Sequence, residues 1–279
     1  MTLKHNEKAA APWPILARLW VCFLVLAILI LRFPASVMAQ NHDQLDPTLE
    51  KARARVQQFF EEFATLRYEE DISQQKIKGD SKVEYKQEIV YDSILRMRFD
   101  DGVLRVDEQR LLEKKPPHVE SRPLLETYGF SGLAMILHPH YESSFSFTRL
   151  TDDTWQGVQL ARYAFEQIPE KPAPALYQMV AADRPVILTG IAWIEAGTGA
   201  IHRISAEVGS NIADMGLKAI RAELVFGPIP LRDEKEPQWL PISATVDLET
   251  PRQHWRNVHR FTDYRKYRVD VRLVETQKP

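Results

Sequence analysis

The side chains here whose types and spacing could do chemistry are few. His138-Pro139-His140 offers two imidazoles, and His254 and His259 offer two more. Zinc asks for three or four ligands in fixed geometry, and a two-histidine tripeptide reads better as a turn with solvated histidines. His254 and His259 have opposite parity on an expected strand, so they point to opposite faces and share no metal. Asp152-Asp153 falls in a turn segment, where aspartates bond their own backbone. Nucleophile motifs do not occur: there is no GxSxG, no HExxH and no Gly-rich phosphate loop. The basic residues near the C-terminus, Arg256, Arg260, Lys266, Arg268 and Arg272, alternate like the solvated face of a strand. Neither aromatic interleaving nor a Gly nest turns them into an anion site. No catalytic, cofactor or metal site is therefore expected, and no enzyme.

The chain opens with Lys4, Lys8 and Arg18, then an apolar run over residues 19–31, then Val37-Met38-Ala39. Small residues at 37 and 39 fit signal-peptidase cleavage between Ala39 and Gln40. The run is shorter than the roughly 20 residues that span a bilayer. The competing reading is an uncleaved anchor over residues 15–38, which would be the only membrane contact. On either reading the rest of the chain is exported. Cys22, the one cysteine, leaves with the leader, so the remaining 240 residues hold no thiol and no disulfide. Losing four basic residues and one acidic residue moves the net charge from −2 to −5. That is ordinary solubility, not a nucleic-acid footprint.

A helix is expected over residues 46–66, with Asp46 capping and Pro47 in the first position. Leu49, Ala52, Val56, Phe59, Phe60, Phe63 and Leu66 recur three or four apart as one apolar stripe. After that the period switches to two. Residues 68–77 are polar and alternating. In 83–99, Val83, Tyr85, Ile89, Tyr91, Leu95, Met97 and Phe99 oppose Lys82, Glu84, Lys86, Glu88, Arg96 and Arg98, as in a half-buried antiparallel strand. Asp100-Asp101-Gly102 turns into a strand over 103–112. A short helix over 131–137 is stopped by Pro139. Three hairpins follow: 144–150 with 155–165 around a turn at 151–154; 187–194 with 200–208 around Gly197-Thr198-Gly199; and 217–226 with 239–248 around a charged loop. A proline-bracketed loop before the second hairpin has room for one helical turn at 176–181. The last strand runs over 255–273. The expected class is mainly β (α+β): a curved antiparallel sheet or open half-barrel, its concave side covered by the N-terminal helix and short helices. Its apolar side either fills as a core or leaves a cavity for an apolar ligand. In the second case Phe145, Phe147, Ile191 and Trp193 are the expected lining.

This order of elements resembles the LolA/LolB-type lipoprotein carriers of the bacterial envelope. A leader, an N-terminal helix and the strand YEEDISQQ (68–75) carry the likeness, together with the hairpin WIEAGTGAIHRI (193–204). That hairpin is similar to the family's W/V-x-D-x-x-T-G-x-apolar hairpin, with Glu195 where Asp is commoner. The resemblance spans most of 46–273. It implies one half-barrel domain over 40–279, in the periplasm or attached to the envelope. The implied function is non-enzymatic binding of a lipid or lipidated partner in an apolar hollow, a carrier-like role. No residue matches the arginine that governs lipoprotein release in the carriers. The alternative is a structural or interaction module of the envelope with a filled core. An exported hydrolase is set aside for want of a nucleophile or metal motif.

Overall fold

The computed structural model describes residues 46–62, 65–79, 81–100, 103–112, 125, 127, 130–172, 174, 187–209, 212, 213, 216–231 and 234–266. By its contacts the chain divides into Met1–Gln44 and Leu45–Pro279, and every described residue lies in the second unit. The leader with its Ala39–Gln40 junction, the helical turn at 176–181 and the strand beyond Lys266 lie outside the described residues. No helix among the described residues is long and apolar enough to cross a membrane.

Among the described residues one α-helix, α1 (Pro47–Glu62), precedes ten strands. These are β1 (Thr65–Ile77), β2 (Val83–Asp100), β3 (Val103–Leu112), β4 (Phe145–Trp155), β5 (Val158–Gln167), β6 (Leu188–Ile194), β7 (Ile201–Val208), β8 (Ala219–Ile229), β9 (Gln238–Glu249) and β10 (His254–Lys266). They form one antiparallel sheet in the order β3-β2-β1-β10-β9-β8-β7-β6-β5-β4. The sheet is open, with β3 and β4 as its edges. Those two strands are consecutive in sequence yet stand nine strand spacings apart, about 43 Å if the sheet were flat. Their connection must therefore cross the sheet, and it carries two 3-10 helices, Phe130–Leu137 and Pro139–Ser144. The second leads directly into β4, yet its Tyr141 hydroxyl donates to the Leu104 carbonyl of β3 at 2.7 Å. Curvature thus brings both edges to one short helix.

The inner face is closed by α1 and the 3-10 helices. Leu49, Ala52, Val56 and Phe60 of α1 are buried in one cluster with Leu133–Leu137 and Tyr141. The same cluster takes in Leu66, Leu95, Phe165, Ile194, Ile204, Leu224 and Ala244 of the sheet. Asp46 caps α1 as expected: its Oδ1 accepts from Thr48 N at 2.9 Å, and its Oδ2 accepts from the Tyr163 hydroxyl at 2.7 Å.

Three boundaries differ from the sequence reading. The helix stops at Glu62, and Leu66 belongs to β1, opposite Leu95 and Lys266. An apolar residue between two elements suits either period, and cross-strand pairing decides it. The first hairpin turns at Gln156-Gly157, not at 151–154. Both residues have positive φ (49° and 82°), the geometry of a two-residue type I′ turn. The two aspartates sit instead at an irregularity, where the register shifts between Leu150 and Asp153. Pro139 does end the first short helix, but it also opens a second one. There His138 is the cap, its Nδ1 accepting from His140 N at 3.1 Å. That local bond is what the HPH tripeptide does. Only His140 of the pair is exposed, because His138 is half-buried edge-on to Phe60, with ring centroids 5.6 Å apart.

Candidate functional site

The inner face of the sheet has two characters. Over β7, β8 and β9 it is apolar, and a cleft of about 360 Å³ remains between it and α1. That volume is at the low end of ordinary ligand pockets. Val56, Phe59, Ala134, Ile201, Phe226 and Trp239 supply its apolar walls, and Arg55, Gln58 and Gln238 its polar rim.

Each wall is held in place. The β6–β7 loop grips α1: Lys51 Nζ donates to Gly197 O at 3.2 Å, and Arg55 Nε to Thr198 O at 2.8 Å. Trp239 Nε1 donates to Ile201 O at 2.6 Å, which fixes the indole plane. His202 packs beside it, ring centroids 4.7 Å apart, and its Nε2 is buried without a hydrogen-bond partner. Burial lowers the His202 pKa, with only Glu195 pulling the other way. A neutral imidazole suits an apolar wall.

Over β3, β2, β1 and β10 the inner face carries a buried polar cluster beside apolar residues such as Leu66, Leu95 and Phe261. Glu70 and His259 have fully buried side chains, and Arg110 is only 7% exposed. Glu70 Oε2 accepts from Arg110 Nε at 2.6 Å and from the Ser93 hydroxyl at 3.0 Å. Its Oε1 lies 2.7 Å from both Arg110 Nη2 and His259 Nδ1. Burial alone would raise the Glu70 carboxyl, but the hydrogen bond from His259 and the charge of Arg110 outweigh it and hold the pKa below the usual range. Burial likewise keeps the His259 pKa low, against the pull of Glu70. The consistent state is an ionised Glu70 beside a neutral His259 that is protonated on Nδ1.

His259 Nε2 then accepts from the Thr127 hydroxyl, 2.9 Å away. Hydroxyl, imidazole and carboxylate in that sequence have the order of a hydrolase triad. The surroundings give them different work. The Thr127 oxygen also accepts from Asn257 Nδ2 at 2.9 Å, and the imidazole is fully buried. The same polar groups receive main-chain carbonyls: Leu125 O from Gln74 at 2.5 Å and Asn257 at 2.9 Å, and Thr127 O from Arg110 at 2.6 Å. This half of the sheet is a seat for the backbone that crosses it. Among the described residues no group of three or more His, Cys, Asp or Glu is placed to hold a metal.

The four lining residues expected from sequence do not share a wall. Phe145 and Phe147 face inward, with Phe147 opposite Phe165, and neither is among the residues that line the cleft. Phe165 is in turn opposite Gly190, which puts Ile191 and Trp193 on the outer face beside Ala164 and Arg162. The strand LTGIAWI is apolar at both parities, so alternation could not orient it. Space does: a Cβ on Gly190 would lie 2.6 Å from Phe165 Cζ, so only glycine fits inward there. A larger space of about 450 Å³ borders Ile191 on that outer face, with Glu166, Glu207 and Arg221 around it. It is a trough in a solvent-facing surface and does not suit an apolar chain. The polar seat was missed altogether. Its signal was Glu70 and Gln74 at the same parity as Leu66, Tyr68 and Ile72, charge and amide on an apolar face.

No protein-family model matches the chain, and no curated protein matches it. Solved structures do. A DUF1329 family protein from Desulfovibrio piger is 14% identical, with a TM-score of 0.42, over 83% of this chain and 96% of its own. A putative outer membrane lipoprotein-sorting protein domain from Vibrio parahaemolyticus is 12% identical, with a TM-score of 0.43, over 78% and 91%. A LolA superfamily protein from Nitrosomonas europaea is 9% identical, with a TM-score of 0.38, over 80% and 93%. The likeness to the LolA/LolB type, drawn above from the order of sequence elements, thus recurs among solved structures as a distant likeness of fold.

Proposed function

We propose that the protein is an exported, non-catalytic binding protein of the envelope that takes an acyl chain of a lipid or lipidated partner into the cleft under α1. The observation that carries this is the cleft itself: about 360 Å³, walled by Val56, Phe59, Phe226 and Trp239 and rimmed by Arg55 and Gln58. Apolar walls gain from burying methylenes, and a basic rim residue suits an anionic head. The competing reading is a structural module. The completeness of the packing elsewhere favours it, since Ile136, Leu137, Ile194, Ile204 and Leu224 have no exposure at all.

Titration with a fluorescent fatty acid separates the two. Carrier-like binding predicts saturation at one equivalent, weakened at least tenfold by Trp239→Ala in a protein that keeps its circular dichroism. Native mass spectrometry of protein purified from its own envelope should then show added lipid mass. No binding of the dye would leave the module.

A further inference from the structure

We propose that Phe59 sets the length of apolar chain the protein accepts, as a stopper between the cleft and a second apolar space behind it. This rests on the cleft being the acyl-chain site. Two separate spaces under the sheet's cover share one residue, and it is Phe59. On one side is the cleft over β7, β8 and β9. On the other is a small space of about 10 Å³, room for a single water, walled by Leu66, Tyr68, Leu95, Phe261 and Tyr264. It begins at Pro241 on β9, two residues along from the cleft's Trp239, and runs under β10, β1 and β2 to Glu108 on β3.

Laid end to end, the two make one apolar track across the inner face, interrupted at Phe59. The strands that wall it, from β9 to β2, lie three spacings apart, about 14 Å between their backbones, while the space itself is only about 10 Å³. Glu108 ends it. Its side chain is 3% exposed and lies 3.4 Å from Arg110 Nη2, so an apolar chain gains nothing beyond that point.

Phe59 is placed to be moved. It sits in the last turn of α1, half-buried, while its neighbour Phe60 is buried and anchors the helix. The two rings meet edge-on with centroids 5.0 Å apart. Turning or trimming the Phe59 ring therefore need not unseat the helix, and a helical Phe has a second staggered rotamer available. Filling the rear space requires the same displacement, because its present volume holds no methylene chain.

The test is affinity across saturated fatty acids of increasing length, by displacement of a fluorescent fatty acid from the full chain. Each buried methylene is worth about fourfold in affinity, so the series climbs until the chain meets the stopper and then levels off. Phe59→Ala should carry the climb to longer chains, so that chains a few methylenes past the wild-type limit gain at least tenfold. Phe59→Trp should bring the levelling to shorter chains. Phe59→Leu, which keeps the apolar stripe, should fall between wild type and Phe59→Ala, and exposed Gln57→Ala should change nothing. The same levelling length in all Phe59 variants, with folding intact, would overturn the stopper and leave the cleft standing. If the wild-type protein binds no fatty acid of any length, the cleft reading falls and the stopper with it.

Discussion

Gly199, in the loop between β6 and β7, lies against the backbone of Lys51 in α1: a Cβ built on it would sit 2.6 Å from the Lys51 carbonyl carbon. Its φ of 72° is also one that side-chain-bearing residues rarely adopt. The glycine therefore does two jobs, turning the hairpin and letting the helix seat on it. Gly199→Ala should cost about 2–4 kcal/mol by urea denaturation, the sum of left-handed strain and an unrelieved backbone contact. Gly197→Ala, two residues away with nothing within 4 Å of its Cβ position, should stay within about 0.5 kcal/mol. Equal costs at the two positions would mean that the loop does not dock the helix.

Phe60, 3% exposed, is the anchor of α1, and Phe59 is only half-buried. Phe60→Ala should cost about 3–5 kcal/mol, the usual range for an emptied aromatic core site. Phe59→Ala should cost less than half as much. Sequence spacing alone expects about 3–5 kcal/mol at Phe59 and at Phe63, the latter outside the described residues, because an apolar stripe at helical period does not say which member lies at its centre. Similar measured losses at Phe59 and Phe60 would put the helix in a different rotation.

The fold was legible because period two persists through β2, β7 and β9, and because Gly197-Thr198-Gly199 marks a turn that does form. Asp46-Pro47 announced the helix start for the same local reason. What failed was orientation. Nothing in LTGIAWI says that Gly190 faces inward and Trp193 outward; that is decided by Phe165, a residue of another strand. The polar seat was hidden for a related reason. Glu70 and His259 are 189 residues apart, and neither means anything until β1 pairs with β10.

That buried pair makes stability depend on pH with a definite sign. His259 has its folded pKa depressed below 6.5, so its contribution is present above that value and is lost as pH falls. Glu70 is depressed below 4.5, so its contribution is present above 4.5 and is lost on further acidification. Both act in the same direction. Arg110 faces them from β3, keeps its charge throughout and has its own pKa raised by Glu70 and Glu108 against the cost of burial. Urea stability should therefore be level above about pH 6.5, decline below it and steepen below about 4.5. His259→Gln should shrink the first decline to the part that belongs to His202 and His138, whose pKa values burial also lowers, and keep the second. An unchanged profile in that variant would place the titration elsewhere.

Glu70→Gln asks a different question of the same cluster. It keeps the shape and one acceptor but leaves the Arg110 guanidinium, 7% exposed, with only the Glu108 carboxylate 3.4 Å from its Nη2. Losing the nearer of two carboxylates should cost less than the about 3–5 kcal/mol of a buried charge left with no partner. Adding Arg110→Met to Glu70→Gln should deepen the loss, because Glu108, 3% exposed, then gives up the cation 3.4 Å from it. A double variant as stable as the single one would show that Glu108 does not depend on Arg110.

Trp193 supplies the last prediction, because its ring lies on the side of the sheet away from the cleft. Arg203 is stacked 4.6 Å from the ring centroid and Arg162 is 5.8 Å from it, while the indole Nε1 donates to Asp153 at 3.2 Å. Arg203 also lies 5.1 Å from the Trp155 ring and is paired with Glu223, so the cations are held in place from several sides. Each such contact is worth about 0.5–1 kcal/mol, and burying the indole adds about 1.5–3 kcal/mol. Trp193→Ala should therefore cost about 2.5–5 kcal/mol in stability and leave fatty-acid affinity unchanged. Fluorescence distinguishes the two tryptophans: quenching by a bound dye should persist in Trp193→Ala and fall in Trp239→Ala. If instead the quenching vanished with Trp193, the bound chain would lie on the outer face, and the cleft under α1 would not be its site.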